Sequence, residues 1–388
     1  MNNRRHALHC VLPPYVLKQI AINGSPTQRD IAFRTLQVTA QMRGERQALT
    51  EVHELLPTVQ VSGKQRLIYD AKNGSTLPGQ IVRGESDPPT GDPAVDEAFV
   101  GTGATYDLFW EVYERNSIDA NGLRLDSTVH YLQGYDNAFW NGQQMVFGDG
   151  DEDLPEDERL FNRFTIAIDV IGHELTHGVT SYEANLNYWY QSGALNESIS
   201  DVFGSLTKQR FLSQGAAEAD WIIGEGLLTA NVNGVGIRSM KEPGTAYDDP
   251  VLGKDPQPAH MDGYVNTIED NGGVHINSGI PNRAFYLAAM EIGGNAWEKA
   301  GQIWYVTLKD KLTAQSNFQN AADLTYQAAG ELYGENSLEQ QAVRTGWSGV
   351  GIQVNQGGDS NGDGDGQDNP GCLPTLLRLL QPRSAKPQ

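Results

Sequence analysis

The stretch Asp169-Val-Ile-Gly-His-Glu-Leu-Thr-His177 constrains this chain more than any other. His173 and His177 stand four residues apart, so they share a face, one turn apart, only if the segment is α-helical. Two neutral imidazoles placed in that way can take two corners of a tetrahedral zinc site, and a carboxylate can take the third. Glu174 lies between them and would face the open fourth corner, where a water belongs. The candidate carboxylate is Glu197, in Gly193-Ala-Leu-Asn-Glu-Ser-Ile-Ser-Asp201. On a helix Glu197 and Asp201 fall on one face, while Leu195, Ile199, Val202 and Leu206 supply a buried side. One carboxylate can then ligate, and Asp201 can hold the second N–H of a ligating histidine.

A chain of 388 residues has room for two domains and a sizeable core. With 39% apolar and 20% charged residues, and no long apolar span, it reads as globular and without a transmembrane helix. The net charge of −21 argues against nucleic acid or an anionic membrane as partner. That charge is unevenly spread. Residues 1–50 hold seven Lys/Arg and two Asp/Glu, a net of +5, which leaves −26 for residues 51–388. A basic segment on an acidic body is expected to bind that body, and Val11, Val16, Leu17, Ile20, Ile31, Phe33 and Leu36 give it apolar material to bury. Two cysteines, Cys10 and Cys372, make no disulfide framework.

Along the chain, Pro13-Pro14 can open a helix through Ile20, and a second begins at Thr27, with Ile31, Leu36 and Val38 facing inward. Residues 45–63 read as an exposed link open to proteolysis. Short β-type runs follow at Leu67–Tyr69, Gln80–Val82 and Thr128–Tyr131, with a helix opened by Asp92-Pro93 between them. Beyond Pro155 the pattern is mainly helical, around 160–180, 194–212, 280–292, 295–313, 318–333 and 337–346. The expected organisation is a propeptide over 1–60, a strand-rich lobe over 61–155, a helical lobe over 156–354 and an acidic low-complexity tail over 355–388. In the tail, Asp359, Asn361, Asp363, Gly364 and Asp365 match half of an EF-hand loop, but Pro370 stands where the bidentate glutamate belongs. It reads as a flexible acidic linker, with a weak calcium loop as the alternative.

The pairing of the two histidines with Glu197, 19 residues after the second, resembles the thermolysin family of zinc endopeptidases; zinc aminopeptidases with the same helix usually leave 18. Asn137-Ala-Phe-Trp-Asn-Gly-Gln-Gln-Met-Val-Phe-Gly-Asp-Gly150 is similar to that family's substrate-binding edge strand. Asp270-Asn-Gly-Gly-Val-His-Ile-Asn-Ser-Gly279 resembles its second active-site segment, and Arg238-Ser-Met240 its substrate-binding arginine. The resemblance covers roughly residues 65–354. It implies an α+β, two-lobed fold with the active site between the lobes, one catalytic zinc, and cleavage on the amino side of bulky hydrophobic residues. It assigns Glu174 as acid/base, Tyr188 and His275 as donors to developing negative charge, and Asp270 as the group that orients His275. Asn137, the Ala138 carbonyl and Arg238 would bind substrate backbone, with Phe161, Phe164, Val170, Ile223, Leu227 and Ile237 lining the pocket after the cut.

His9-Cys-Val-Leu-Pro-Pro-Tyr15, which includes Cys10, Pro13 and Pro14, resembles the short propeptide of protealysin-like members of the family. A thiolate is a good zinc ligand, so Cys10 is expected to occupy the open zinc position, with maturation cuts between about Thr50 and Lys64. Lys208 stands where thermolysin has a glutamate bridging two calcium ions, and its ammonium is expected to pair with Asp169, Asp220 or Glu225 in place of calcium. Calcium is therefore a doubtful second cofactor. The expected partners are protein or peptide substrates, the chain's own propeptide and a protein inhibitor, with the chain acting as a monomer. The short apolar stretch after Arg4 and Arg5, broken at Pro13-Pro14, does not read as a secretion leader. Synthesis in the cytoplasm, with export by a non-standard route, is the expectation. The alternatives are a catalytically silent zinc-binding protein of the same fold and an aminopeptidase.

Overall fold

The computed structural model describes residues 9–53 and 63–355. The acidic tail and most of the expected maturation region lie outside the described residues. In chain order the elements are β1 (His9–Cys10), α1 (Pro14–Asn23), α2 (Pro26–His53), β2 (Arg66–Asp70), β3 (Gln80–Gly84), α3 (Pro93–Tyr113), β4 (Leu125–Val129), β5 (Ala138–Trp140) and β6 (Met145–Phe147). Then come α4 (Ile168–Tyr182), α5 (Tyr190–Leu212), the two-residue strands β7 (Ile222–Ile223), β8 (Arg238–Ser239), β9 (Asp248–Asp249) and β10 (Gly253–Lys254), and α6 (Asp270–Asn277), α7 (Gly279–Ile292), α8 (Lys299–Asp310), α9 (Phe318–Tyr333) and α10 (Leu338–Ser348).

A six-stranded sheet runs in the order β1-β5-β6-β4-β2-β3. Among the described residues, β1 thus forms one edge, antiparallel to β5 with His9 opposite Trp140 and Cys10 opposite Phe139. Pro14 at the first turn of α1 stops this strand, because it has no N–H to offer a ladder and its fixed φ suits a helix start. The expected link at 45–63 begins later than the sequence implied, since α2 continues to His53. Arg46-Gln-Ala-Leu-Thr-Glu contains good helix formers and no breaker. Val11, Leu12, Val16, Leu17, Ile20 and Ala32 join the same apolar core as α3, α4 and α5, whereas Phe33 points outward. Among the described residues, the ion pair that links this segment to the acidic body is Lys18–Glu269, at 2.9 Å and well exposed. Apolar burial and hydrogen bonds hold the segment, more than charge.

The helices that matter most cross at glycines. A Cβ on Gly172 of α4 would lie 3.0 Å from the Gly204 Cα of α5, and one on Gly204 would collide with the Asp169 carbonyl. The missing side chains let the two backbones approach, which sets the histidines of α4 against the carboxylates of α5. Among the described residues, no helix is long and apolar enough to cross a membrane.

Candidate active site

His173, His177 and Glu197 converge as the sequence implied, and all three are fully buried. His173 Nε2 and His177 Nε2 lie 3.0 Å apart, and the Glu197 carboxylate reaches them at 3.5 and 3.4 Å. Each imidazole is fixed from behind. His173 Nδ1 meets Asp201 Oδ1 at 2.8 Å; His177 Nδ1 meets Asn196 Oδ1 at 2.7 Å and Ser200 Oγ at 3.0 Å. These partners take the Nδ1 protons, so both Nε2 lone pairs point at the same spot. Glu197 Oε2, buried without a hydrogen-bond partner, points there too. Two lone pairs and an anionic oxygen facing one another in a buried space need a cation. Two nitrogens and one carboxylate oxygen, with Glu174 beside them, are a donor set that fits catalytic zinc.

Asp201 is the hub behind the ligands. Arg238 grips it with Nε and Nη2, both at 2.8 Å, and Asn282 donates to it at 2.8 Å. Burial would raise the Asp201 carboxyl, but the Arg238 guanidinium and His173 hold it well below the usual carboxylate range. It therefore stays anionic and keeps His173 in its Nδ1–H form. Glu174 Oε2 accepts the Trp140 backbone N–H at 3.0 Å, which ties the acid of α4 to β5, the strand next to the edge.

His275 comes from α6, whose start is a left-handed turn with φ of 50° at Asp270, 52° at Asn271, 86° at Gly272 and 75° at Gly273. Asn and Gly tolerate this region, and a Cβ at Gly272 would also collide with the Tyr190 ring. The turn folds Asp270 back onto His275: Oδ2 accepts its backbone N–H at 2.9 Å, and Oδ1 lies 2.6 Å from Nδ1. Burial works against an imidazolium at His275, but Asp270 and Glu197 raise its pKa above the ordinary histidine value. Its Nε2 lies 3.2 Å from the Tyr188 hydroxyl, which in turn donates to Glu197 Oε1.

The N-terminal strand lies across this site. Val11 donates its N–H to the Ala138 carbonyl at 3.3 Å, and its own carbonyl accepts from Arg238 Nη1 at 3.0 Å. Leu12 N–H donates to Asn137 Oδ1 at 3.0 Å, and Asn137 Nδ2 returns a bond to the Leu12 carbonyl at 3.3 Å. Val11 belongs to the same apolar cluster as Phe161, Phe164, Val170, Ile223, Leu227 and Ile237. The expectation that the Cys10 sulfur takes the open zinc corner is corrected. Cys10 packs in a separate cluster with Tyr131, Tyr135, Phe139 and Val146, and it is not part of the metal-capable group formed by His173, His177 and Glu197. The reason is strand alternation: Cys10 is paired with Phe139 and shares its face, while Val11 takes the opposite one.

Lys208 makes the pairs expected of its ammonium. Its Nζ lies 3.1 Å from Asp169, 2.8 Å from Asp220 and 3.6 Å from Glu225, and donates to the Ile222 carbonyl at 2.8 Å. Asn196, Ser200 and Asn282 are site residues that sequence reasoning missed. Asn196 could have been found from its place beside Glu197; Asn282 carried no local signal.

Fold and site together define a metallopeptidase of the thermolysin family, to which this chain belongs: residues 28–181 match the thermolysin metallopeptidase catalytic domain, and residues 184–352 its alpha-helical domain. It is a zinc-dependent endopeptidase made as a precursor. Among particular proteins, it is 54% identical over 347 residues to the extracellular metalloprotease of Pectobacterium carotovorum subsp. carotovorum, which spans 89% of this chain and 97% of that protein. Protease PrtS of Photorhabdus sp. (strain Az29) is 50% identical over 351 residues, or 89% of this chain and 92% of that one. The solved precursor of protealysin from Serratia proteamaculans matches with a TM-score of 0.79 at 53% identity, over 89% of this chain and 99% of that one.

Proposed function

We propose that the enzyme cuts on the amino side of bulky apolar residues, and that its first strand inhibits it by lying in the substrate track. The observation that carries this reading is the bonding of Val11 and Leu12 to Ala138, Asn137 and Arg238 beside the convergent histidines. Backbone partners of this kind recognise any extended chain, and an apolar neighbourhood for Val11 supports a preference for apolar side chains just after the cut. Zinc, when bound, supplies Lewis acidity to a carbonyl and lowers the pKa of water. Glu174 takes a proton from the attacking water and returns it to the leaving amine. Tyr188 and His275 donate to the oxygen that gains negative charge, with Asp270 keeping His275 oriented and protonated. Asp201 and Asn196 position the metal-binding imidazoles, and Arg238 links Asp201 to the substrate carbonyl.

Inhibition needs no cysteine ligand in this reading, because the strand already saturates the edge and fills the place of the residue after the cut. The chain acts alone as a monomer, and a protein inhibitor that adds an extended strand to β5 is a fitting partner. Export is supported by a relative named as extracellular, and is tested by assaying culture fluid against cell lysate.

The test is an internally quenched, end-blocked peptide with a central Phe or Leu, incubated with purified precursor, with and without a zinc chelator. Chelator-sensitive cleavage before the bulky residue, rising as residues 1 to about 60 are lost and absent in Glu174→Ala, is the expected result. Cleavage only of peptides with a free amino terminus, or activity unaffected by loss of the segment, would overturn it.

A further inference from the structure

One buried acid takes no part in the chemistry above. Asp136 is 2% exposed, and its Oδ1 is buried without a hydrogen-bond partner. The turn that carries it lies beneath α2. Its backbone N–H donates to Thr35 Oγ1 at 3.3 Å, the Tyr135 hydroxyl meets Thr39 Oγ1 at 3.3 Å, and a Cβ on Gly134 would touch Ile31 at 3.4 Å. A second buried acid, Asp151, sits on the adjoining loop, which is tied to the turn by the Gly148 N–H donating to the Asn137 carbonyl at 3.0 Å.

The two acids are served differently. Asp151 Oδ2 accepts the backbone N–H groups of Leu160 and Phe161 at 2.8 and 3.0 Å, whereas nothing donates to Asp136 Oδ1. Among the described residues, the charged groups facing Asp136 are Asp151 and Asp153 from the loop after β6, which repel a negative charge there, and Arg34 from α2. Arg34 is half exposed and already paired with Asp30 at 3.1 Å. Arg159 faces Asp151 and donates to the carbonyls of Leu154 and Glu152. Burial, then Asp151 and Asp153, push the Asp136 carboxyl well above its ordinary range, and burial pushes Asp151 up to about 6. A carboxylate whose buried oxygen has no donor is costly; the neutral acid is less so.

We propose that Asp136 is a pH latch on the precursor, protonated while α2 covers it and ionised once α2 lifts, so that opening becomes easier as pH rises. The sign follows from proton counting. The covered form holds a proton that the uncovered form releases, so raising the pH favours the uncovered form. The effect starts near the ordinary aspartate value of about 4 and continues up to the raised value of the covered acid. Within that window each proton released changes the opening constant about tenfold per pH unit. The proposal rests on the N-terminal segment being a removable cover.

Cys10, 1% exposed in the strand that precedes α1, is a built-in reporter of opening. Full-length precursor carrying Glu174→Ala, which cannot process itself, is alkylated between pH 5 and 7.5. Cys10 modification is read by peptide mass, separately from Cys372, and divided at each pH by its rate in the denatured chain. Protection of Cys10 is expected to fall at least about tenfold across that range. Adding Asp136→Asn, which keeps the shape but cannot ionise, should leave strong protection that no longer varies with pH. Protection that is strong and flat in the parent would overturn the latch while leaving the cover intact. An equal slope in parent and Asp136→Asn would also overturn it, by assigning the proton elsewhere. Rapid modification at every pH would overturn the cover itself.

Discussion

Replacing Lys208 by Met tests whether an ammonium has taken over the work of a metal ion in this enzyme. The Lys208 side chain is 5% exposed and that of Asp169 1%, so their contact at 3.1 Å is a buried ion pair. Asp220 is 29% and Glu225 59% exposed, and water can solvate both if the ammonium is lost. Asp169 has no such recourse; it keeps only the Gly224 N–H, at 3.1 Å. The cost of Lys208→Met is therefore that of one uncompensated buried carboxylate, about 3–5 kcal/mol. Burial already raises the Asp169 carboxyl, with Lys208 pulling it down, so removing Lys208 raises it further. Protonated Asp169 needs no partner, and the loss should shrink as the pH is lowered from 7 to 5. Urea unfolding of Lys208→Met and its parent, both in a Glu174→Ala background to prevent self-digestion, measures this at the two pH values. The companion variant Lys208→Glu gathers four carboxylates and should gain stability from millimolar calcium, which the parent site does not. A loss below about 1 kcal/mol at pH 7, or one that is equal at pH 5, would refute the account.

Three further outcomes are expected. Asn137→Ala removes both side-chain bonds to Leu12 and should weaken binding of the N-terminal segment by about tenfold or more, read as faster alkylation of Cys10 in a Glu174→Ala precursor. Gly204→Ala forces a methyl group against the Asp169 carbonyl and must part α4 from α5; zinc affinity, measured by competition with a chromophoric chelator, should fall by at least about tenfold. His130 pairs with Asp149 at 2.8 Å and Asp92 at 3.1 Å; the Asp149 bond outweighs burial and raises its pKa from 6.5 to about 9. Its contribution to stability is fully present below pH 6.5 and lost as pH rises through about 9, so urea midpoints should decline over that window in the parent and stay flatter in His130→Gln.

The metal site was legible in the sequence because helical spacing alone decides which residues share a face. His173 with His177, and Glu197 with Asp201, obey a period that no tertiary contact can alter. The Asp270-Asn-Gly-Gly segment was legible only through the family resemblance, and the structure supplies the physical reason for its composition: few other residues accept four successive positive φ values. Cys10 was misread because a strand turns alternate side chains to opposite faces, and its pairing with Phe139, more than a hundred residues away, settles which face it takes. Asn282 was invisible on the same grounds: its partner Asp201 lies 81 residues earlier. The pairing of Lys208 with Asp169, by contrast, followed from the family resemblance, which sets Lys208 among the carboxylates of a calcium site, together with its charge.

The edge position of β1 has a consequence for the finished enzyme. If the first strand leaves, as the proposed maturation requires, β5 becomes the edge of the sheet and its outward backbone groups are open to another strand. Such an edge can associate with an exposed strand, and in the precursor β1 covers it. The same edge screens targets by conformation before any side chain is read. A helix or a paired strand has already committed its backbone and cannot add to β5, whereas an unfolded or looped chain can. Under the proposed mode of binding, chains that have lost their shape are the ones whose backbone is available to β5.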